Sequence, residues 1–451
     1  MSFDELGLSA PILRAIADAG YQTPTPIQRD AIPPALAGRD IVGCAQTGTG
    51  KTAAFTLPLL QRLDDTAGKE PRIRVLVVTP TRELAAQIGV SVATYGKHLD
   101  LWHTVIFGGV NEKPQIRELK DGVDVLVATP GRLLDLLNRG FLTLSNVETL
   151  VLDEADQMLD LGFLPDVKRI VAACPTKRQT LFFSATMPTA IRELAETLLT
   201  DPVSVAVAPV SAPADLVEQR LYFVDKGNKR SLLAELVQQS DLRRTLVFSR
   251  TKHGANRVAQ YLEKRGVAAA AIHGNKSQGA RTRALDGFKS GKVRVLVATD
   301  IAARGIDVEA VTHVINFDLP NVPETYVHRI GRTARAGASG IALSFCETDE
   351  REYLVDIERL LGKHIVRVDE HAFPASLAPP PMTDLAGRGR AGGPKRSGSG
   401  RSRGGRGRSG GGGGGGRGRS GGGGGGRSGG GRSGGGGGGR GRTSSGGGGR
   451  S

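Results

Sequence analysis

Short apolar runs alternate with helical stretches from residue 40 to about residue 208. The runs are Ile41 to Cys44, Val75 to Val78, Val123 to Ala128, Val147 to Leu152 and Thr180 to Phe183. Their length and Val/Leu content suit strands buried on both faces, so the alternation predicts β-α-β units and a parallel sheet. The rhythm stops at Ala208-Pro-Val-Ser-Ala-Pro-Ala214, a weakly charged, proline-bearing segment that reads as a linker over 209–216. It resumes at Leu221 to Val224, Thr245 to Phe248, Val293 to Ala298, Val311 to Phe317 and Ile341 to Phe345. A second α/β domain is therefore expected over 217–378, after a first over 30–208 and a leading segment over 1–29. Val123-Asp-Val-Leu-Val-Ala-Thr129 and Val293-Arg-Val-Leu-Val-Ala-Thr299 agree at six of seven positions. Such an echo fits either a duplicated fold or the common taste of buried strands for valine and leucine.

From Pro379 the pattern disappears. Ala386 to Ser451 holds 37 glycines, 14 arginines, one lysine and no acid, with no aromatic and no aliphatic side chain larger than alanine. Nothing there can be buried to offset chain entropy, so residues 379–451 are expected to be a disordered basic tail. The formal charge of +15 comes entirely from Ala386 to Ser451, because residues 1 to 385 carry 45 basic and 45 acidic side chains. A Gly/Arg segment without acids suits tethering of nucleic acid better than a neutral spacer. Cys44, Cys174 and Cys346 lie far apart and outside any C-x-x-C pair, so neither a disulfide framework nor a zinc site is indicated. No apolar stretch approaches the ~20 residues of a membrane span, and the N-terminus lacks the layout of a signal peptide. A soluble, cytoplasmic protein is expected.

Two short motifs carry the chemistry. Ala45-Gln46-Thr47-Gly48-Thr49-Gly50-Lys51-Thr52 follows the first apolar run. A glycine-rich turn between strand and helix lets backbone N-H groups close on phosphates, with Lys51 as a point charge and Thr52 as a hydroxyl for Mg²⁺. Ala45 stands where the G-x-x-x-x-G-K-[ST] pattern has its first glycine. The second motif, Asp153-Glu154-Ala155-Asp156, ends another apolar run. Asp153 can hold the metal through its water shell, and Glu154 can orient or deprotonate an attacking water. Alone, an Asp-Glu pair opening a helix reads as dipole capping. Together the two motifs sit at strand ends of an open α/β sheet, where ligands bind, and they point to ATP hydrolysis.

Read in order, the chain also contains Phe3, Gly20-Tyr-Gln-Thr-Pro-Thr-Pro-Ile-Gln28, Pro80-Thr-Arg-Glu-Leu84, Gly108-Gly109, Thr129-Pro-Gly-Arg132 and Ser184-Ala-Thr186. Beyond the linker come Val247-Phe-Ser-Arg250, His273-Gly274, Gln278 with Arg281, Ala298-Thr-Asp300, Arg304-Gly-Ile-Asp307 and His328-Arg-Ile-Gly-Arg-Thr-Ala-Arg335. In this order the motifs resemble the DEAD-box RNA helicases, and among them the bacterial RhlE type, over essentially residues 1 to 370. The resemblance implies two tandem RecA-like domains with ATP and Mg²⁺ in the cleft and RNA as partner.

It also implies roles. Gln28 would read the adenine edge, having both a donor and an acceptor, with Phe3 or Tyr21 on the ring; without the other motifs, an ordinary helix entry marked by Pro24 and Pro26 is the lesser alternative. Arg332 and Arg335 lie three apart, on one face if helical, and would stabilise the γ-phosphate charge from across the cleft, with Asp307 on the ribose. Glycine is more usual at Ala334. Ser184 and Thr186 would link Asp156 to His328, although Ser-Ala-Thr after a strand is otherwise only a turn. Arg82, Gly109, Thr129 and Arg132, with Gly274, Gln278, Arg281 and Thr299, would face the sugar-phosphate backbone, where glycines allow close approach. Two rivals share these residues: an RNA clamp or annealing protein that ATP merely locks, and a DNA translocase. Intact Glu154, Arg332 and Arg335 favour turnover over a static clamp.

Overall fold

In the computed structural model the described residues are 2–45, 48–66, 72–206, 217–238, 242–303, 311–334 and 340–382. They form two seven-stranded sheets in which every strand pair is parallel. The strands are β1 (Ile41–Cys44), β2 (Val75–Val78), β3 (His103–Ile106), β4 (Val125–Ala128), β5 (Thr149–Leu152), β6 (Gln179–Ser184) and β7 (Val203–Ala206) in the first lobe. The second lobe has β8 (Val217–Phe223), β9 (Thr245–Phe248), β10 (Ala269–Ile272), β11 (Val295–Ala298), β12 (His313–Asn316), β13 (Gly340–Cys346) and β14 (Val366–Arg367). The linker and the tail beyond Met382 lie outside the described residues.

The first sheet runs β3-β4-β2-β5-β6-β1-β7 and the second β10-β11-β9-β12-β13-β8-β14. Adding seven to each strand number of the first gives the second. The two segments that echo each other in sequence become β4 and β11, which hold the same place in their sheets, and this favours one fold used twice over chance similarity.

Burial on both faces explains the continuous apolar runs. Along β2, Val75 and Val77 join one core while Leu76 and Val78 join another, and Phe182 and Phe183 of β6 divide in the same way. The predicted runs beginning at Val123, Val147, Val293 and Val311 each enter their strand two residues later. The sequence reading omitted β3, β7, β10 and β14. β10 is Ala-Ala-Ala-Ile, a composition without β preference; β3 and β7 are short edge strands, and β14 is two residues long.

Helix starts follow local chemistry. Thr81, Thr251 and Ser277 each accept a hydrogen bond from a backbone N-H three residues on, and so fix the beginnings of helices Arg82–Tyr95, Lys252–Glu263 and Gln278–Lys289. No helix among the described residues is long and apolar enough to cross a membrane.

Candidate functional site

β1 delivers the chain into the phosphate loop, and Lys51 opens the helix Lys51–Asp64. Gly48 and Gly50 have φ of 88° and 93°, backbone that a side chain would strain. Gln46 and Thr47 lie outside the described residues; Ala45 is buried at the strand end. Lys51 is 5 % exposed, its Nζ 3.9 Å from Glu154 Oε1 and without a hydrogen-bond partner among the described residues. A buried ammonium in that condition is costly unless an anion completes it.

β5 brings the acids to the same place. Asp153 is 2 % exposed, and its Oδ1 accepts from Glu154 N at 3.0 Å. Burial pushes the Asp153 carboxyl up to about 7 against the pull of Lys51, with Glu154 and Asp156 adding to the rise. Excess negative charge beside an unsatisfied ammonium fits a divalent cation and a polyphosphate together. Asp153 and the half-buried Thr52 line the same cavity and are oxygen donors that could hold such a cation. Glu154 is buried with φ 56°, a left-handed conformation rare for a side chain of its size.

Lys51, Thr52, Asp153 and Glu154 line a cavity of about 920 Å³, together with Phe3, Tyr21 and Gln28 from the first lobe and Gln278 and Arg281 from the second. Tyr21 is exposed and makes a tilted pair with Tyr95, whereas Phe3 is core. Gln28 is already engaged: its Oε1 accepts from Thr25 N at 2.9 Å, closing its own helix start, and its Nε2 donates to Gly50 O at 3.2 Å. A Cβ on Gly50 would come within 2.5 Å of that amide. The helix-entry reading of Gln28 is thus seen directly, and its amide also ties that helix to the phosphate loop.

Asp156 is tied to Ser184 and Thr186 as expected. Its backbone N-H donates to Ser184 Oγ, and its Oδ2 accepts from both the N-H and the hydroxyl of Thr186 at 2.9 Å. His328 lies on the helix Pro323–Ile330 and lines a small second-lobe cavity with Asp300, Arg329 and Arg332. The helix ends at Ile330, so Arg332 sits in the following turn. Gly331 caps that helix, and further along the turn Ala334 adopts φ 54°, left-handed backbone where glycine is at ease. Arg335 and Asp307 lie outside the described residues.

The predicted polynucleotide face is internally bonded. Gln278 Nε2 and Arg281 Nη2 reach Glu83 of the first lobe at 2.9 and 2.8 Å, and Arg82 Nη1 donates to Gln278 Oε1 at 3.4 Å. Gln278 and Arg281 are thus held by protein groups, because a guanidinium only 11 % exposed needs a carboxylate. Gly109 has φ 78°, backbone that favours glycine, and the Arg82 guanidinium lies where a Cβ would stand. A Cβ on Gly274 would make only ordinary contact with Lys252. Thr129 and Thr299 are buried at the ends of β4 and β11, equivalent places in the two sheets. Arg132 donates to Gln115 Oε1 at 2.9 Å and to Val110 O at 3.4 Å. Glu83 and Gln115 were missed in the sequence; an acid in a first helical turn reads as dipole capping, and Gln115 belongs to no recognised pattern.

The chain matches the model of the DEAD/DEAH box helicase over residues 25–194 and that of the helicase conserved C-terminal domain over 228–337. It is 45% identical over 376 residues to the DEAD-box ATP-dependent RNA helicase CshA of Bacillus anthracis, covering 83% of this chain and 71% of that protein. The ATP-dependent RNA helicase CshA of Limosilactobacillus reuteri is 44% identical, with 84% and 76% covered. Among solved structures, S. cerevisiae Dbp5 bound to RNA and ADP BeF3 superposes with a TM-score of 0.73 at 32% identity, covering 81% of this chain and 95% of that one.

Proposed function

The chain belongs to the DEAD/DEAH box helicase family, and from that premise we propose that it binds RNA by its backbone and locally parts short duplexes, driven by ATP hydrolysis between its lobes. The observation that carries this reading is the buried trio Lys51, Asp153 and Glu154 at the wall of a cavity shared by both lobes. Lys51 and the phosphate-loop N-H groups hold the β and γ phosphates, Asp153 and Thr52 hold Mg²⁺, and Glu154 takes the proton of the attacking water. Mg²⁺, when bound, neutralises charge on the phosphate oxygens. Arg332 and Arg335 stabilise the charge that builds in the transition state, and Asp307 binds the ribose. Gln28 reads adenine while steadying the loop, so that base and phosphates are sensed by one residue.

Arg82, Gly109, Thr129 and Arg132 of the first lobe, with Gly274 and Thr299 of the second, form the RNA face. Gln278 and Arg281 serve it indirectly, by joining the lobes through Glu83. Asp156, Ser184, Thr186 and His328 pass lobe closure to the acids. We take the chain as an RhlE-type enzyme of the bacterial cytoplasm, with residues 379–451 as an RNA tether. The test is ATP turnover without nucleic acid, with single-stranded RNA and with DNA of matched sequence. Stimulation by RNA alone is expected. Equal stimulation by DNA would indicate a translocase, and tight RNA binding with no turnover would indicate an ATP-locked clamp.

A further inference from the structure

The loop after β3, Phe107 to Glu112, carries the exposed Gly109 and has no regular structure of its own. Arg139 holds its far end through Glu112 at 2.8 Å, and one amide ties its start to Arg132. Gln115, on the helix Lys113–Asp121, is 7 % exposed and bonded at both ends. Its Nε2 donates to Phe107 O at 3.2 Å, at the start of the loop, and its Oε1 accepts from Arg132 Nη1 at 2.9 Å. The same guanidinium reaches Val110 O at 3.4 Å, beyond Gly109. Loop, Gln115 and Arg132 therefore close a ring of hydrogen bonds around the two glycines. Arg132 is 10 % exposed at its side chain, and its remaining anchor is Asp135 at 3.7 Å.

The two bonds run in opposite senses, which only an amide of this length supplies. A carboxylate would accept from Arg132 yet oppose the Phe107 carbonyl, and an apolar isostere would leave the Phe107 carbonyl without this donor and Arg132 with only Val110 O and Asp135. On the far side of the loop the Arg82 guanidinium packs against Gly109 and bonds Gln278 of the second lobe. The loop is thus held from within the lobe by Gln115 and from across the cleft by Arg82.

The geometry points to Gln115 as a positioning residue for the RNA face: it sets Arg132 and the Gly108-Gly109 loop in one fixed arrangement, so that both meet the sugar-phosphate backbone together. This rests on the reading of that face as the RNA site. Gln115 does not touch the polynucleotide itself. Its loss should weaken RNA engagement and leave the ATP chemistry alone, a split that a residue serving stability would not produce.

The experiment measures ATP turnover of the full chain against single-stranded RNA concentration for Gln115→Met, Gln115→Glu, Arg132→Ala and the double variant Gln115→Met/Arg132→Ala, each checked for a normal melting transition. Gln115→Met should raise the half-saturating RNA concentration about tenfold, with turnover at saturating RNA and half-saturating ATP within about twofold. Gln115→Glu, which keeps the acceptor for Arg132, should raise it about threefold and serves alone if the methionine variant does not fold. In the double variant the effect of Gln115→Met should vanish, because the residue acts through Arg132. Unchanged RNA dependence in the folded single variants, or additive losses in the double, would overturn the assignment. If Arg132→Ala also left RNA dependence unchanged, the RNA-face reading would fall with it; if Arg132→Ala alone weakened RNA, only the role of Gln115 would fall.

Discussion

Glu154 is held where a side chain is poorly accommodated, buried and left-handed at φ 56°. Such backbone costs about 1–2 kcal/mol and persists only where the surroundings insist on it. The turn aims the carboxylate at Lys51, and its removal tests the assignment most sharply. Glu154→Gln keeps shape and hydrogen bonding, so ATP binding should stay within about threefold while turnover falls at least about a hundredfold. Equilibrium nucleotide binding and single-turnover hydrolysis check the two halves separately, and near-normal hydrolysis would sink the assignment. Ala334 also occupies left-handed backbone, in the turn beyond the helix that bears His328. A β-branched residue there is a stronger outlier than alanine, so Ala334→Val should be less stable than Ala334→Gly by at least about 1 kcal/mol in denaturant unfolding. Equal stability of the two would show that the turn relaxes on substitution.

Between elements, buried polar groups do the joining. Lys229 and Glu350 are each about 1 % exposed and 2.7 Å apart, binding the helix Lys229–Gln238 to the turn before the helix Arg351–Leu361. Glu350 also holds Arg250 at 2.7 Å, so Lys229→Ala leaves it one cation and should cost about 2 kcal/mol of second-lobe stability by denaturant unfolding. Glu83 with Arg281 is the corresponding contact across the cleft. Glu83→Ala and Arg281→Ala should each lower RNA-stimulated turnover, and the double variant should be little worse than either. Fully additive losses would mean that the two act apart. These pairs also mark where sequence reading stops. Lys51, Asp153, Ser184 and Thr186 were legible because their chemistry is carried by contiguous motifs at strand ends, and most of the strands were legible because burial on two faces leaves an unbroken apolar run. Glu83 was not, since its partners stand 195 and 198 positions away and its own position explains it as a capping acid. Gln115 pairs with Arg132 through a loop that no periodicity describes. β10 was hidden by its alanines.

On the scale of the whole chain, the two lobes repeat one strand order and the basic charge is confined to the end. Truncation after Leu385 removes 14 arginines and one lysine but no motif. RNA affinity should then fall most at low salt and its dependence on salt should flatten, by about 0.7 in the log-log slope for each phosphate that the tail no longer neutralises. Turnover at saturating RNA should survive; identical slopes for the full and shortened chains would make the tail a spacer. The cross-cleft contact has a further consequence for how strong it needs to be. Ten residues join Ala206 to Val217, so the lobe ends can never be more than about 40 Å apart. Tethering at that length corresponds to an effective concentration in the millimolar range. A contact of only millimolar intrinsic affinity is therefore enough to bring the lobes together about half of the time, and one so weak can be released in every cycle without a large energy input. Cut into separate polypeptides and mixed at micromolar concentration, the same lobes would remain apart.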